Sequence, residues 1–268
     1  MTNLMHYENV SCKNLQPLIF DSVTYSVLIK ILNQICTHVF TDKKHVIICH
    51  SNPPYPVWVW CNNYSYDNLC AIAHCIKKHF ALENGYNVIL SQELLENLQK
   101  IDAYFLNVSL KMQLFSYRLD KINNISYPVN GKVLKANEND INALANVYHD
   151  MVYEMEGFDF DKQTCENKVS ELMQNGGLYT FVNQNGEIVA TTAMIKSDGF
   201  YKISAVYTLP NQRRKGYAIN LVHALCKKAV SEGVTPILYT DGNYNASNEC
   251  YKKIGFFQVG KLLNIQNK

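Results

Sequence analysis

Residues 207–228, which read YTLPNQRRKGYAINLVHALCKK, constrain the fold of this chain more than any other segment. The first residues form an apolar, strand-like run that Pro210 ends, because proline has no N–H group to donate to a sheet. A helical pattern begins after Gly216, and glycine permits backbone conformations that other residues rarely adopt. The segment therefore predicts a strand that leads through a short basic turn directly into a helix.

The segments on either side of this turn predict a complete set of elements. From residue 132 onward, the apolar patterns give the order strand, helix, helix, strand, strand, strand, helix, strand, helix, strand. The three consecutive strands are separated by NQNGE and SDG, which are turn sequences typical of an antiparallel meander. This half of the chain is therefore predicted to be an α/β unit with a mixed sheet.

The N-terminal part of the chain predicts a separate α+β domain. Segment 120–132, DKINNISYPVNGK, combines asparagine, proline, glycine and serine with few large apolar residues, as a linker does. We therefore expect two domains, residues 1–125 and residues 126–268. Trp58 and Trp60 alternate along a predicted strand of the first domain; we interpret them as core residues, with an amine-binding wall as the alternative.

The charge of the chain argues against nucleic acid as a partner. Its 25 basic and 23 acidic residues give a net charge of +2 and form no polybasic run. No stretch reaches the roughly 18 apolar residues of a membrane span, and the first residues do not resemble a signal peptide. Nine cysteines at irregular spacing indicate reduced thiols. We therefore expect a cytoplasmic protein with neither a membrane nor a nucleic acid as partner.

One group of candidate metal ligands lies in CAIAHCIKKHF, residues 70–80. Cys70, His74 and His79 would lie near one face of a helix, with Cys75 beside them. No second set of ligands follows elsewhere in the sequence, and a buried or half-buried helix face explains the same residues. We therefore predict no metal.

The basic turn has the chemistry of an anion site. A helix start presents N–H groups without helical acceptors and the positive end of the helix dipole. Arg213 and Arg214 add forked donors that match phosphate oxygens better than lysine does, in a chain whose only other arginine is Arg118. We interpret the segment as a pyrophosphate-binding turn, with a solvated surface turn as the alternative.

From about residue 130 to residue 268, the chain resembles the GNAT superfamily of acyl-CoA-dependent N-acetyltransferases. That family has a phosphate loop of the pattern Gln/Arg-x-x-Gly-x-Gly/Ala, which this chain matches with Arg213, Gly216 and Ala218. The later segment DGNYNASNECYKKIGFF resembles a second family motif, through Ser247, Tyr251, Gly255 and Phe256. Two motifs in the expected order, on the expected elements, are more specific than either motif alone.

One position departs from the family pattern. Many relatives have asparagine seven residues before the helix tyrosine, whereas this chain has Tyr244 between Asn243 and Asn245. In this chain, a residue next to Tyr244 would have to make the polar contact to the pantetheine arm that this asparagine makes in relatives.

The resemblance implies the GNAT acyl-CoA N-acyltransferase fold for the C-terminal half. The N-terminal half is then either a smaller α+β domain of its own or a degenerate copy of that fold without a phosphate loop. The implied activity is transfer of an acetyl group from acetyl-CoA to a primary amine of a small molecule or peptide, by direct attack in a ternary complex. A catalytically silent acyl-CoA-binding sensor or interaction module is the alternative. The acceptor and the oligomeric state stay open, with a homodimer as one option.

The resemblance also assigns site residues. Tyr251 takes the family position of the general acid, since a phenol with a pKa near 10 can protonate a departing thiol with a pKa of about 8.5. A local bulge in the strand before the turn is expected to expose an N–H group to the thioester carbonyl. The expected acetyl-CoA contacts are Val206, Tyr207, Thr208, Arg213, Arg214, Lys215, Gly216, Tyr217, Ala218, Asn245, Ser247 and Asn248.

No general base is assigned. Relatives often carry a glutamate on the strand before the turn, but YKISAVYT contains no carboxylate. Glu154, Glu156 and His149 are candidates, although a solvated helix end is the simpler explanation of each.

Overall fold

The structure, a computed structural model, describes residues 2–197 and 199–268, apart from the side chains of Cys36, Thr37, Glu156 and Ser197. The chain forms two compact units. The first unit contains the chain up to Ser116 with Thr240–Asn245 and Gln258–Lys268; the second contains Tyr117–Tyr239 and Ala246–Phe257. The predicted domain limits, 1–125 and 126–268, stay a prediction, and the final segment of the chain is counted with the first unit.

Strands and helices cover most of the described chain. The strands are β1 (Met5–Val10), β2 (Cys36–Thr41), β3 (Val46–His50), β4 (Val57–Cys61), β5 (Val88–Ser91), β6 (Val108–Arg118), β7 (Gly131–Lys135), β8 (Leu178–Asn183), β9 (Ile188–Ser197), β10 (Phe200–Thr208), β11 (Thr235–Asp241) and β12 (Phe257–Asn267). The helices are α1 (Ser26–Asn33), α2 (Tyr66–His79), α3 (Gln92–Ile101), α4 (Ile141–Glu156), α5 (Lys162–Gln174), α6 (Tyr217–Ser231) and α7 (Asn245–Ile254). Short 3-10 helices lie at Lys13–Leu18, Leu82–Asn84, Ala103–Asn107, Glu138–Asp140 and Pro210–Gln212. Among the described residues, no helix has both the length and the apolar character needed to cross a bilayer.

The first unit is a mixed sheet with an apolar core on each face. Strands β1 to β4 pair antiparallel in sequence order, β4 pairs parallel with β5, and β12 pairs antiparallel with β5. One core contains side chains of α2 and α3, and the other contains side chains of α1. Trp58 and Trp60 are 4% and 5% exposed in the α1 core, so their interpretation as core residues is confirmed.

The C-terminal half of the chain, whose last strand is counted with the first unit, has the predicted order of elements. From β7 the chain runs strand, two α-helices, three strands, then helix, strand, helix and strand, which confirms the order read from the sequence. Strands β7 to β10 pair antiparallel in sequence order, and β10 pairs parallel with β11. The core on the α4 and α5 side includes Leu144, Val169, Leu178 and Ala193, all buried.

The N-terminal half repeats the plan of the C-terminal half. Between β1 and β2 lie the 3-10 helix Lys13–Leu18 and α1, as α4 and α5 lie between β7 and β8. The later order β2, β3, β4, α2, β5, α3, β6 matches β8, β9, β10, α6, β11, α7, β12. In each half, three antiparallel pairings are followed by one parallel pairing. This repetition is what a degenerate copy of one fold requires.

The entry into α4 shows how local sequence fixes an element boundary. Asn137 accepts a hydrogen bond from the Asn139 N–H group, and the Asp140 carboxylate accepts one from the Asn137 N–H group. This capping box satisfies donors that have no helical acceptor. The helix ends at Gly157, whose φ of 74° lies in the left-handed region that favours glycine.

Candidate active site

The basic turn of the second unit opens α6 at a glycine. Gly216 occupies the N-cap position with φ 85°, and no side chain among the described residues caps the helix there. Arg214 also has a positive φ, of 61°. Residues in the left-handed conformation within a turn point successive backbone N–H groups into a concavity that can hold an anion. The dipole of the 15-residue helix α6 adds positive potential at the same place. The start of α6 is therefore suited to bind an anion.

The equivalent helix of the first unit starts differently. At α2 the N-cap is Ser65, whose hydroxyl accepts a hydrogen bond from the Asn68 N–H group at 3.4 Å. The side-chain amide of Asn68 donates to the Asn63 carbonyl at 2.9 Å. The Ser65 hydroxyl therefore satisfies one helix-start donor, whereas Gly216 has no side chain that could do so.

Strand β10 is irregular just before the basic turn. Its register with β9 runs regularly to Ser204 and resumes at Tyr207 with one extra residue on β10. Ala205 in this bulge has φ 50°, and the buried Thr192 hydroxyl donates to the Ser204 carbonyl at 3.1 Å. The predicted bulge is confirmed. A β-bulge removes backbone groups from the ladder and turns them toward other partners.

The parallel pairing of β10 with β11 covers only the start of β10. It runs from Phe200↔Thr235 to Ile203↔Leu238, whereas β10 continues to Thr208 in register with β9. The register with β11 therefore ends where the bulge begins. Loss of pairing on one side and a bulge on the other leave this part of β10 with backbone that can pair with an extended ligand.

Arg213 makes contacts inside the protein that the sequence does not reveal. Its Nη2 donates to Glu154 Oε2 at 2.6 Å, and its Nε donates to the Thr208 carbonyl at 3.1 Å. The Tyr207 hydroxyl donates to the same Glu154 oxygen at 3.0 Å. Arg213 therefore links the basic turn to the end of α4. Because Glu154 lies 59 positions away in the sequence, no local pattern could have identified this contact.

The Arg213 contact decides the chemistry of Glu154. The guanidinium hydrogen bond holds the pKa of this carboxyl below its ordinary value, so its affinity for a proton is weak. Burial and the Glu154 carboxylate together raise the pKa of Tyr207 to about 12. An ion-paired carboxylate of low pKa is a poor general base.

His149, the second candidate base, offers no better group. His149 Nε2 lies 3.0 Å from an Asp159 oxygen and its Nδ1 lies 3.4 Å from an Asp150 oxygen. The hydrogen bond to Asp159, followed by that to Asp150, raises the pKa of His149, which favours the protonated ring. The side chain of Glu156 lies outside the described residues.

The remaining predicted site residues lie around α6 and on α7. Lys215 Nζ donates to Gln212 Oε1 at 2.9 Å, and the ring of Tyr217 lies 5.2 Å from that of Phe181. Tyr251 is 6% exposed, with its ring 6.0 Å from that of Phe256 in an edge-on arrangement. Three further predicted residues belong to α7: Asn245, Ser247 and Asn248. Their roles, and that of Val206 in the bulge, stay predictions.

A polar depression adjoins the basic turn in the second unit. It has a volume of about 380 Å³, and its lining includes Asn130, Gln184, Lys215 and Tyr217 together with the acidic Glu187. The amide groups and the lysine ammonium are hydrogen-bond donors beside the start of α6. This surface extends the set of donors available to a polar ligand bound at the turn.

Comparison with known proteins identifies the fold. A family model described as "FR47-like protein" matches residues 177–263. No curated protein matches the chain. A GCN5-related N-acetyltransferase from Sphaerobacter thermophilus is 13% identical, with a TM-score of 0.67 over 98% of this chain and 94% of that chain. A GNAT-family acetyltransferase from Colwellia psychrerythraea is 15% identical, with a TM-score of 0.62 over 98% of this chain and 100% of that chain. A Drosophila protein is 11% identical, with a TM-score of 0.66 over 100% and 99%.

These likenesses and the architecture above show the fold: the chain folds like acetyltransferases of the GNAT family. Residues 177–263 are the part that the FR47-like family model describes. Because the three solved structures align over nearly their full length, the likeness also includes the N-terminal half of this chain.

Proposed function

We propose that this protein is an N-acetyltransferase that transfers an acetyl group from acetyl-CoA to a primary amine of a small molecule or peptide. One observation carries the proposal: β10 is bulged at Ala205, its parallel register with β11 ends at Ile203, and an uncapped helix start follows at Gly216. An extended ligand with an anionic end matches this succession. Acetyl-CoA, with its pantetheine arm and diphosphate, has that form.

The residues present match the parts of acetyl-CoA. Backbone groups of Val206 and Thr208 would pair with the pantetheine amides along β10. N–H groups at the start of α6, with the side chains of Arg214 and Lys215, would bind the diphosphate. Arg213 has a different part, because its contact with Glu154 braces the turn. In this proposal, Arg214 contacts the diphosphate and Arg213 positions the turn.

The acyl donor supplies a thioester that a neutral amine can attack. An alkylamine with a pKa of about 10.4 is almost wholly protonated at neutral pH, so a proton must leave before attack. An N–H group of the bulge at Val206 would donate to the carbonyl oxygen as negative charge develops there. The Tyr251 hydroxyl would give a proton to the departing sulfur. The proton of the amine would leave through water, since Glu154 is ion-paired.

One observation supports a second function, a silent acyl-CoA-binding module. The Glu154 carboxylate, which accepts a hydrogen bond from Tyr207 on β10, is held by Arg213 with a lowered pKa. A site without a base can bind the acyl donor and leave amines unmodified. Turnover separates the two functions.

Calorimetric titration with acetyl-CoA, followed by an amine panel monitored through thiol release, tests the proposal. Arg214→Ala should weaken acetyl-CoA binding by roughly 10- to 100-fold, as expected for loss of a charge-assisted hydrogen bond. Lys227→Ala, which removes an exposed charge from the same helix, is the matched control and should leave affinity unchanged.

Tyr251→Phe separates catalysis from binding in the same assays. We expect it to keep acetyl-CoA affinity and to lower turnover by about 10²- to 10⁴-fold, because it removes a general acid and little volume. Tight binding without acetylation of any amine would favour the silent module. Absence of acetyl-CoA binding by the parent protein would refute both functions.

A further inference from the structure

The first unit contains a cluster of potential metal ligands that is separate from the candidate active site. His6 and Glu8 lie two residues apart on β1, so their side chains share one face of the strand. His38 on β2 is the direct cross-strand partner of Glu8. Among the residues that the structure describes, these form the group of three His, Cys, Asp or Glu side chains whose ligand atoms come close enough to hold one metal ion.

The distances between the ligand atoms of this cluster match the ligand-to-ligand spacing of a zinc site, with the two imidazoles hydrogen-bonded to each other. His6 Nε2 lies 3.1 Å from His38 Nδ1, and Glu8 Oε1 lies 3.5 Å from His6 Nε2 and 3.6 Å from His38 Nδ1. Ligands about 2.1 Å from a tetrahedral ion are separated from one another by about 3.4 Å. The three atoms therefore already stand at the spacing of three corners of a zinc tetrahedron.

The surroundings of the cluster favour a site that is preformed and accessible. The His6 ring stacks on the Phe40 ring, with centroids 4.0 Å apart and planes within 1°. Phe40 is itself buried, so this contact fixes the orientation of the imidazole. The side chains of His6, Glu8 and His38 are 33%, 57% and 33% exposed, which gives an ion direct access.

The position of the cluster gives the ion a structural consequence. Strand β1 has five exposed residues out of six, so burial of apolar surface contributes little to its attachment. An ion held by two residues of β1 and one of β2 would join the strands directly.

We propose that His6, Glu8 and His38 bind one divalent transition-metal ion of the Zn²⁺ type and thereby fasten β1 to β2. Two imidazoles and one carboxylate form a donor set that zinc takes in proteins, with an open fourth position. The prediction of no metal considered the cysteines and histidines of α2. The present cluster arises instead from the register of β1 on β2.

The test is titration of the full-length, EDTA-dialysed protein with Zn²⁺ in competition with a chromogenic chelator. The parent protein should bind one equivalent. His6→Gln and Glu8→Gln should each weaken that binding by roughly 100-fold, since each removes one of three protein ligands. His74→Gln is the matched control, because it removes an exposed histidine that belongs to the α2 group.

Cobalt absorption and thermal unfolding test the same assignment independently of zinc affinity. Substitution with Co²⁺ should give the visible absorption of tetrahedral Co²⁺ in the parent and not in Glu8→Gln. Zn²⁺ should raise the thermal midpoint of the parent and of His74→Gln, but not of His6→Gln. Equal Zn²⁺ affinity in the parent and Glu8→Gln, or loss of binding only in His74→Gln, would overturn the assignment to β1 and β2.

Discussion

Replacement of Gly216 by alanine separates the two properties that the structure gives this residue. A Cβ atom there would lie 3.4 Å from Val129 Cγ1 and 3.5 Å from Tyr127 Cβ, which are ordinary contacts, so the cost is conformational. A non-glycine residue in the left-handed region costs about 1–2 kcal/mol. For a chain of this size we expect the thermal midpoint to fall by roughly 2–8 °C, with a matching loss of unfolding free energy in urea.

Gly233→Ala is the control for Gly216→Ala. Gly233 follows the other end of α6, has φ 71°, and has open space around its Cα. It should lose a similar amount of stability for the same reason. Calorimetric titration should then show weaker acetyl-CoA binding, by about tenfold or more, in Gly216→Ala alone, because a shifted backbone misdirects the N–H donors. Equal retention of acetyl-CoA affinity by both variants would contradict an anion site at Gly216, and full stability of Gly216→Ala would contradict the conformational cost.

Three other changes test separate parts of the molecule. Thr192→Val removes the donor to the Ser204 carbonyl beside the bulge; we expect a loss of about 1 kcal/mol in urea unfolding, and an unchanged midpoint would deny the contact a role. Leu144→Ala should lower the free energy of unfolding by about 2–5 kcal/mol in the same assay, since this side chain is 1% exposed in the core of the second unit. His149 should titrate above its ordinary pKa in NMR spectra, because Asp159 favours the protonated ring, and Asp159→Asn should lower that midpoint. The folded-state pKa is raised, so the pair stabilises the fold below about pH 6.5 and loses this effect as pH rises through the raised pKa; a midpoint unaffected by Asp159→Asn would contradict the ion pair.

Local signals carried most of what the sequence could predict about the fold. Pro210, Gly216 and the capping pair at Asn137 act within a few residues of themselves, so their effects on strand ends and helix starts were readable. The bulge in β10 was anticipated from the family resemblance. The positive φ of Ala205 that forms the bulge could not be predicted from the residues around it.

Contacts between distant segments were not readable from one sequence. The pairing of β12 with β5 joins residues more than 170 positions apart, and no turn sequence specifies it. The role of Arg213 as a diphosphate ligand, predicted on residue type and position, stays a prediction, and its contact with the distant Glu154 was not readable. The cluster of His6 with His38 depends on strand register, which a single sequence specifies weakly for an exposed edge strand.

The two halves of the chain explain why a repeated fold can carry one anion site. Helices α2 and α6 occupy equivalent places, each after a strand that starts a parallel pairing. At α2, the Ser65 hydroxyl satisfies a helix-start donor that an anion would otherwise bind. At α6, Gly216 supplies no side chain, so the N–H groups keep their affinity for an external acceptor. The two helix starts therefore differ in their N-cap residue: serine caps α2 with its own side chain, and glycine leaves α6 able to bind a ligand. This difference predicts that acetyl-CoA binds with a stoichiometry of one per chain.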